Sequence, residues 1–135
     1  METDWREAPL SELSAHIVAV HHARTRDLLA RLTDDRFAEL RVEMEEHMRD
    51  EEERLFPAID ALERHEVDAF PLEELESFEA HHVRMGAEVR RLRRESEGET
   101  EAVLAELETD LNTHLHEEHN VLFPRALAAL GRAYA

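Results

Sequence analysis

The chain has no cysteine. It therefore offers no disulfide frame, no thiolate metal site and no cysteine nucleophile. Aromatics make up 5% of its 135 residues, and there are only three Gly and four Pro. That scarcity, set against a chain heavy in Ala, Leu, Glu and Arg, argues against a sheet protein and for helices. No apolar run approaches the roughly 20 residues of a membrane span. The start, Met1-Glu2-Thr3-Asp4-Trp5-Arg6, lacks the positive run and apolar stretch of a secretory signal. We expect a soluble protein of the cytoplasm with no membrane partner. Positive charge is also short, 16 Arg and Lys against 33 Asp and Glu, for a net charge of −17. Such a balance disfavours nucleic acid and anionic surfaces as partners, and it serves solubility. The length fits one domain over 1–135, with a short N-terminal tail over 1–8.

Histidine, by contrast, is abundant: there are ten. His is the commonest metal ligand and titrates near physiological pH. Two of the ten open a repeated motif. His47-x3-Glu51-x3-Leu55-Phe56-Pro57 recurs 67 positions later as His114-x3-Glu118-x3-Leu122-Phe123-Pro124. A spacing of four puts each His and its Glu on one helix face, about one turn apart. Leu-Phe-Pro reads as a packing plug and helix stop, since proline removes a helical hydrogen bond.

Apolar periodicity predicts four helices. The first covers roughly 10–32, with Leu13, Ile17, Val20 and Leu28 at steps of three and four. Thr33-Asp34-Asp35 then supplies a polar break with capping chemistry. The second helix carries Phe37, Leu40, Met44, His47, Met48, Glu51 and Leu55 on one stripe, and residues 58–69 form a further turn and a connection. Phe70-Pro71 opens the third, whose stripe is Leu75, Phe78, His82, Met85, Val89 and Leu92. Gly98 ends that stretch and Thr100 caps the fourth helix, which runs over about 101–122 through Leu104, Leu107, Leu111, His114, Glu118 and Leu122. Short connections favour an all-α, up-down-up-down four-helix bundle. The order of a His-His pair followed by the motif occurs in both halves, as an internal two-fold repeat.

Five ionisable side chains, His47, Glu51, His82, His114 and Glu118, thus lie on core-facing stripes of three helices. Buried ionisable groups persist only when paired, hydrogen-bonded or bound to metal. One buried His–Glu pair could satisfy itself. Two identically spaced copies plus a His on a third helix point to a metal cage. The first helix supplies the sixth ligand, and here two residues compete. His21 lies near the centre of one apolar stripe, whereas His22 joins a second stripe with Val18 and Leu29 and aligns with His82 in the repeat. Imidazoles and carboxylates without thiolate suit iron, manganese or zinc. Two shared Glu with two His per ion leave open positions, which suit small-molecule chemistry. His16, His65, His81, His116 and His119 read as solvent-facing or as neighbours of the ligands. Met44, Met48 and Met85 read as core filler, and Glu52 and Glu53 as a solvated face.

These features resemble the hemerythrin-like HHE cation-binding domains, over nearly the whole chain. Asp4-Trp5-Arg6, Ala8-Pro9-Leu10, His16-Ile17 and His22 at one end, with His114, Glu118 and Asn120-Val121-Leu122-Phe123-Pro124-Arg125-Ala126 at the other, narrow the likeness. They are similar to the C-terminal di-iron domain of iron–sulfur cluster repair proteins. The resemblance implies a hemerythrin-like bundle holding two non-haem iron ions, oxo- or hydroxo-bridged, on His22, His47, Glu51, His82, His114 and Glu118. It favours His22 over His21. It also implies a part in nitrosative or oxidative stress, repairing damaged iron–sulfur centres or supplying iron to them. Binding or sensing of O2, NO or peroxide, with at most a minor oxidase- or catalase-like activity, is the alternative. The chain departs from that family in three ways. It carries no Cys-containing N-terminal domain within its 135 residues, His81 stands where an acid is common, and His21 where Tyr is common.

Overall fold

A computed structural model describes residues 3–66 and 72–133. Four helices make the fold among the described residues. Helix α1 runs through Leu10–His16, Ile17–His22 and Ala23–Ala30. A single 3-10 turn, Asp35–Phe37, leads into α2, which continues through Ala38–Asp50, Glu51–Leu55 and Phe56–Glu63. Helix α3 spans Leu72–Arg94, and α4 runs through Gly98–Glu117, Glu118–Leu122 and Phe123–Ala133. The Phe70-Pro71 start foreseen for the third helix lies outside the described residues.

Packing follows chain order: α1 lies against α2 and α4, α2 against α3, and α3 against α4. Side-chain pairs fix the directions. Glu63 at the end of α2 accepts from the backbone of Leu10 and Ser11 at the start of α1. Arg36 before α2 reaches Ser96 beyond the end of α3. Arg93 near the end of α3 holds Glu101 at the start of α4. Each successive helix therefore reverses direction, giving the expected up-down-up-down bundle.

The helix ends follow local chemistry. The Asp34 carboxylate accepts from the Arg36 N–H and caps the turn into α2. Helix α4 starts earlier than the spacing predicts, at Gly98, and Thr100 lies inside its first turn. Gly98 has φ of 61°, a left-handed conformation that costs L-residues a steric clash and glycine none, so it reverses the chain between α3 and α4. Residues 3–8 form a turn whose Trp5 packs on the apolar core and whose Trp5 carbonyl accepts from Arg125 of α4.

The Leu-Phe-Pro stop is overturned. Helix α2 passes through Pro57 to Glu63, and α4 passes through Pro124 to Ala133. A wide turn precedes each proline. The Phe56 N–H returns to the Glu51 carbonyl, and the Phe123 N–H to the Glu118 carbonyl, five residues back in both cases. Such a π-turn absorbs one extra residue and breaks the regular ladder where proline has no N–H to give. The helix continues because the defect and the missing donor coincide. A third wide turn, Ile17–His22 in α1, shifts the helical phase and leaves Val20 40% exposed, outside the core stripe foreseen for it. The same shift turns both His21 and His22 inward.

The core is two apolar clusters with a polar layer between them. One gathers Leu28, Phe37, Met44, Met85, Leu104 and Leu107, among others, towards the α3–α4 turn. The other gathers Leu13, Ile17, Leu55, Ile59, Leu122 and Phe123 towards the opposite end. Between them along each helix lie His22, His47, Glu51, His82, His114 and Glu118, all buried.

Candidate metal centre

Each wide turn carries a residue of this layer: His22 closes the one in α1, while Glu51 and Glu118 open those in α2 and α4. The turns place the side chains on the bundle axis, as π-turns at functional sites commonly do. His82 comes from α3 at a plain helical position.

The six residues foreseen from the sequence are brought together. His22, His114 and Glu118 present ligand atoms within 4.8 Å of one another, and so do His47, Glu51 and His82. The two trios are in contact. Glu51 Oε1 lies 3.3 Å from His22 Nε2 and 3.4 Å from His47 Nε2, while Glu118 Oε2 lies 3.3 Å from His82 Nε2. Each carboxylate is thus within reach of both trios.

Both oxygens of Glu51 and of Glu118, His22 Nε2 and His114 Nδ1 are buried and lack a hydrogen-bond partner among the described residues. A buried polar atom without a partner costs on the order of 1–3 kcal/mol, more for a charged group. Six of them converging on one layer fit a cation, which satisfies them together. Nitrogen and carboxylate donors without sulfur suit iron, manganese or zinc.

The electrostatics of the metal-free layer say the same. Burial pushes Glu118 up, and the negative charge of Glu51 beside it adds to this, so its carboxyl lies well above the usual range. Burial also pushes Glu51 up, but the His22 and His47 imidazoles beside it outweigh burial and hold Glu51 well below. The pair thus favours one neutral carboxyl beside one carboxylate. Burial takes His82 down to about 2 and His114 down to about 4, so both imidazoles are neutral and have lone pairs to give.

A second ring of groups orients the first. His22 Nδ1 lies 2.7 Å from Glu52 Oε2, and Arg26 holds Glu52 and Glu45 in turn. His47 Nδ1 lies 3.1 Å from His81 Nδ1, and His82 Nδ1 lies 2.7 Å from His119 Nε2. Such partners select the tautomer and hold the ring plane. Glu52 is therefore no part of a solvated face, and its half-buried position between His22 and Arg26 corrects that reading. Glu53 is exposed, and so are His65 and His116.

His21, the competitor for the sixth position, is buried with each ring nitrogen against a carboxylate: Nδ1 is 3.2 Å from Asp110 Oδ1 and Nε2 is 3.1 Å from Glu117 Oε2. Asp110 and Thr25 are buried polar residues that the stripes missed. A signal for Asp110 existed, since it stands four residues before His114 and so on the same face. Thr25 gave none, because its role is to donate to Asp110 from another helix at 3.0 Å. A cavity of about 200 Å³ opens between α2 and α3, lined by His47, Asp50, Arg54, Glu74, Ser77, Phe78 and His81.

Comparison with known proteins places the chain in a cation-binding family. The hemerythrin HHE cation binding domain matches residues 13–126. The iron-sulfur cluster repair protein YtfE of Escherichia coli O157:H7 is 29% identical over 160 aligned residues, covering 95% of this chain and 71% of the relative. The proteins of the same name from Escherichia coli strain K12 / DH10B and from Shigella boydii serotype 18 match to the same extent, 29% over 95% and 71%.

Proposed function

Because the chain belongs to the hemerythrin HHE cation-binding domain family, we propose that it is a non-haem di-iron protein serving iron–sulfur centres damaged by nitrosative or oxidative stress. It repairs them or supplies their iron. His22 and His114 would hold one ion and His47 and His82 the other, with Glu51 and Glu118 available to both. The observation that carries this reading is the set of buried, unpartnered carboxylate and imidazole atoms reached from both trios. Relatives named for iron–sulfur cluster repair, aligned over 95% of the chain, supply the biological role. Iron, when bound, contributes redox chemistry and open coordination positions. The protein's own part is to orient the donors through Glu52, His81 and His119, to keep His82 and His114 neutral by burial, and to exclude bulk water with an apolar cluster on either side. The same proposal places the protein in the cytoplasm.

The test is reactivation of an enzyme whose iron–sulfur cluster has been destroyed by nitric oxide. Iron-loaded protein should restore activity, and the metal-free chain should not. If both fail where a YtfE relative succeeds under the same conditions, the repair role is wrong. The ligand set has its own test. His47→Ala and Glu118→Ala should each lower bound iron below two per chain, and unchanged iron in both would refute the assignment.

The cavity beside His47 favours a second reading, the binding of O2, NO or peroxide at the same centre. A visible band that forms on mixing reduced protein with oxygen and disappears on deoxygenation would support it. Irreversible oxidation in a single turnover would sink it.

A further inference from the structure

A second convergence of ligand atoms lies beside the centre. We propose that His16, His21 and Glu117 form a further site, for one divalent transition ion of the zinc class, on the α1–α4 side of the bundle. His16 Nε2 is 3.8 Å and His21 Nε2 is 3.1 Å from Glu117 Oε2, and the ligand atoms of the three residues all lie within 4.8 Å of one another. Metal–ligand bonds of roughly 2.0–2.2 Å place tetrahedral donors about 3.3 Å apart, between the two distances found.

The backbone assembles this trio. His16 and His21 are five residues apart, which on an α-helix would separate them by about 140°. The wide turn Ile17–His22 closes that angle, and the two rings meet edge to face at 5.2 Å. The wide turns of α2 and α4 each lead into a proline, whereas this one leads into Ala23-Arg24, so no missing N–H accounts for it. Trp5 lies against the other side of His16, with ring centres 4.6 Å apart, and holds the imidazole in place.

The surroundings of His21 support a ligand role. His21 Nδ1 lies against Asp110, whose other oxygen is held by Thr25, and its Nε2 faces a carboxylate oxygen of Glu117. A proton could serve one imidazole, but His16 Nε2 converges on the same oxygen, and a metal ion satisfies all three. An Asp–His pair of this kind is the usual support of a metal-binding imidazole. The site is also reachable: the side chains of His16 and Glu117 are 28% and 18% exposed, against 0% for Glu51 and Glu118. Water can complete the coordination.

The experiment loads the protein with iron, adds zinc, removes weakly held metal by gel filtration, and counts iron and zinc separately by elemental analysis. Wild type should retain one zinc equivalent per chain that both His16→Ala and Glu117→Gln lack, at unchanged iron. Zinc retained equally by wild type and both variants overturns the site. So does a wild type that retains none. Low iron in every sample would count against the di-iron reading alone, since the zinc difference between wild type and His16→Ala is scored independently of it. Glu117→Gln is isosteric, and matched helical circular dichroism of the variants excludes loss of fold as the cause.

Discussion

Glu52 follows Glu51 in the chain, yet the two carboxylates have opposite duties. Glu51 is fully buried on the axis, while Glu52 stands one position round the helix, accepts from His22 Nδ1 and is held by Arg26. Burial opposes its charge, and the Arg26 and His22 contacts more than compensate, so its carboxyl lies below the ordinary range. Truncating it frees the His22 ring to rotate or to present the wrong tautomer. We expect Glu52→Ala to weaken iron retention on the order of 10–100-fold in a chelator competition, with the bundle still folded. An unchanged competition curve would mean that Glu52 serves only its salt bridge to Arg26. The stripe of α2 singles out Glu51, but no pattern in α2 alone indicates that Arg26 stands opposite Glu52.

Among the elements, α4 contains the two departures from a regular helix that matter most, its start and its wide turn. Gly98 begins it at φ of 61°, and a methyl group there would meet nothing within 4 Å. The requirement is thus conformational and not one of space. Gly98→Ala should cost about 1–2 kcal/mol in urea unfolding, the left-handed penalty of an L-residue, with the metal content unchanged. A neutral substitution would show that the α3–α4 turn relaxes without strain. Every position named on the apolar stripes of α2, α3 and α4 is buried, while Ile59, Leu62, Val103 and Ala126 joined the core unnamed. The wide turns were not legible from spacing. A helix with one extra residue looks in sequence like two stripes out of phase, which is how the first helix reads: Leu13 and Ile17 on one, Val18, His22 and Leu29 on the other. The choice between His21 and His22 could not be made on a wheel of fixed period, because the period itself changes between them.

For the molecule as a whole, the polar layer couples stability to metal and to pH. In the metal-free chain His82 and His114 titrate below their unfolded value of 6.5, at about 2 and about 4, so below pH 6.5 the unfolded chain binds two protons that the folded one refuses. Glu118 works in the opposite sense: raised above 4.5, it holds a proton when folded that the unfolded chain takes up only at lower pH. Burial lowers His81 and His119 as well, so four groups against one leave the unfolded state the more protonated. The metal-free protein should therefore lose stability from pH 6.5 towards pH 4.5, by about 1.4 kcal/mol per pH unit for each net proton. Urea midpoints across that range would measure it, and a flat profile would show that His82 and His114 are not buried in neutral form. Iron should raise the midpoint at pH 7.5 and lose that effect on acidification, because protons compete for imidazole.

The sequence by itself determined the helix class, the four stripes, the repeat and five members of the polar layer. These follow from period and residue type, and a buried ionisable group at a helical spacing declares itself. Tertiary structure alone decided the rest. It let the helices run on through Pro57 and Pro124, turned His21 and His22 inward together, and set Glu52, His81 and His119 behind the imidazoles. It also brought His16 and His21 to Glu117, 96 residues beyond His21 in the chain. The physical reason is the same throughout. A π-turn is a change of phase, and a hydrogen bond between helices is a meeting of distant residues. The first shows locally only as two stripes out of phase, and the second leaves no mark on the local pattern from which a sequence is read.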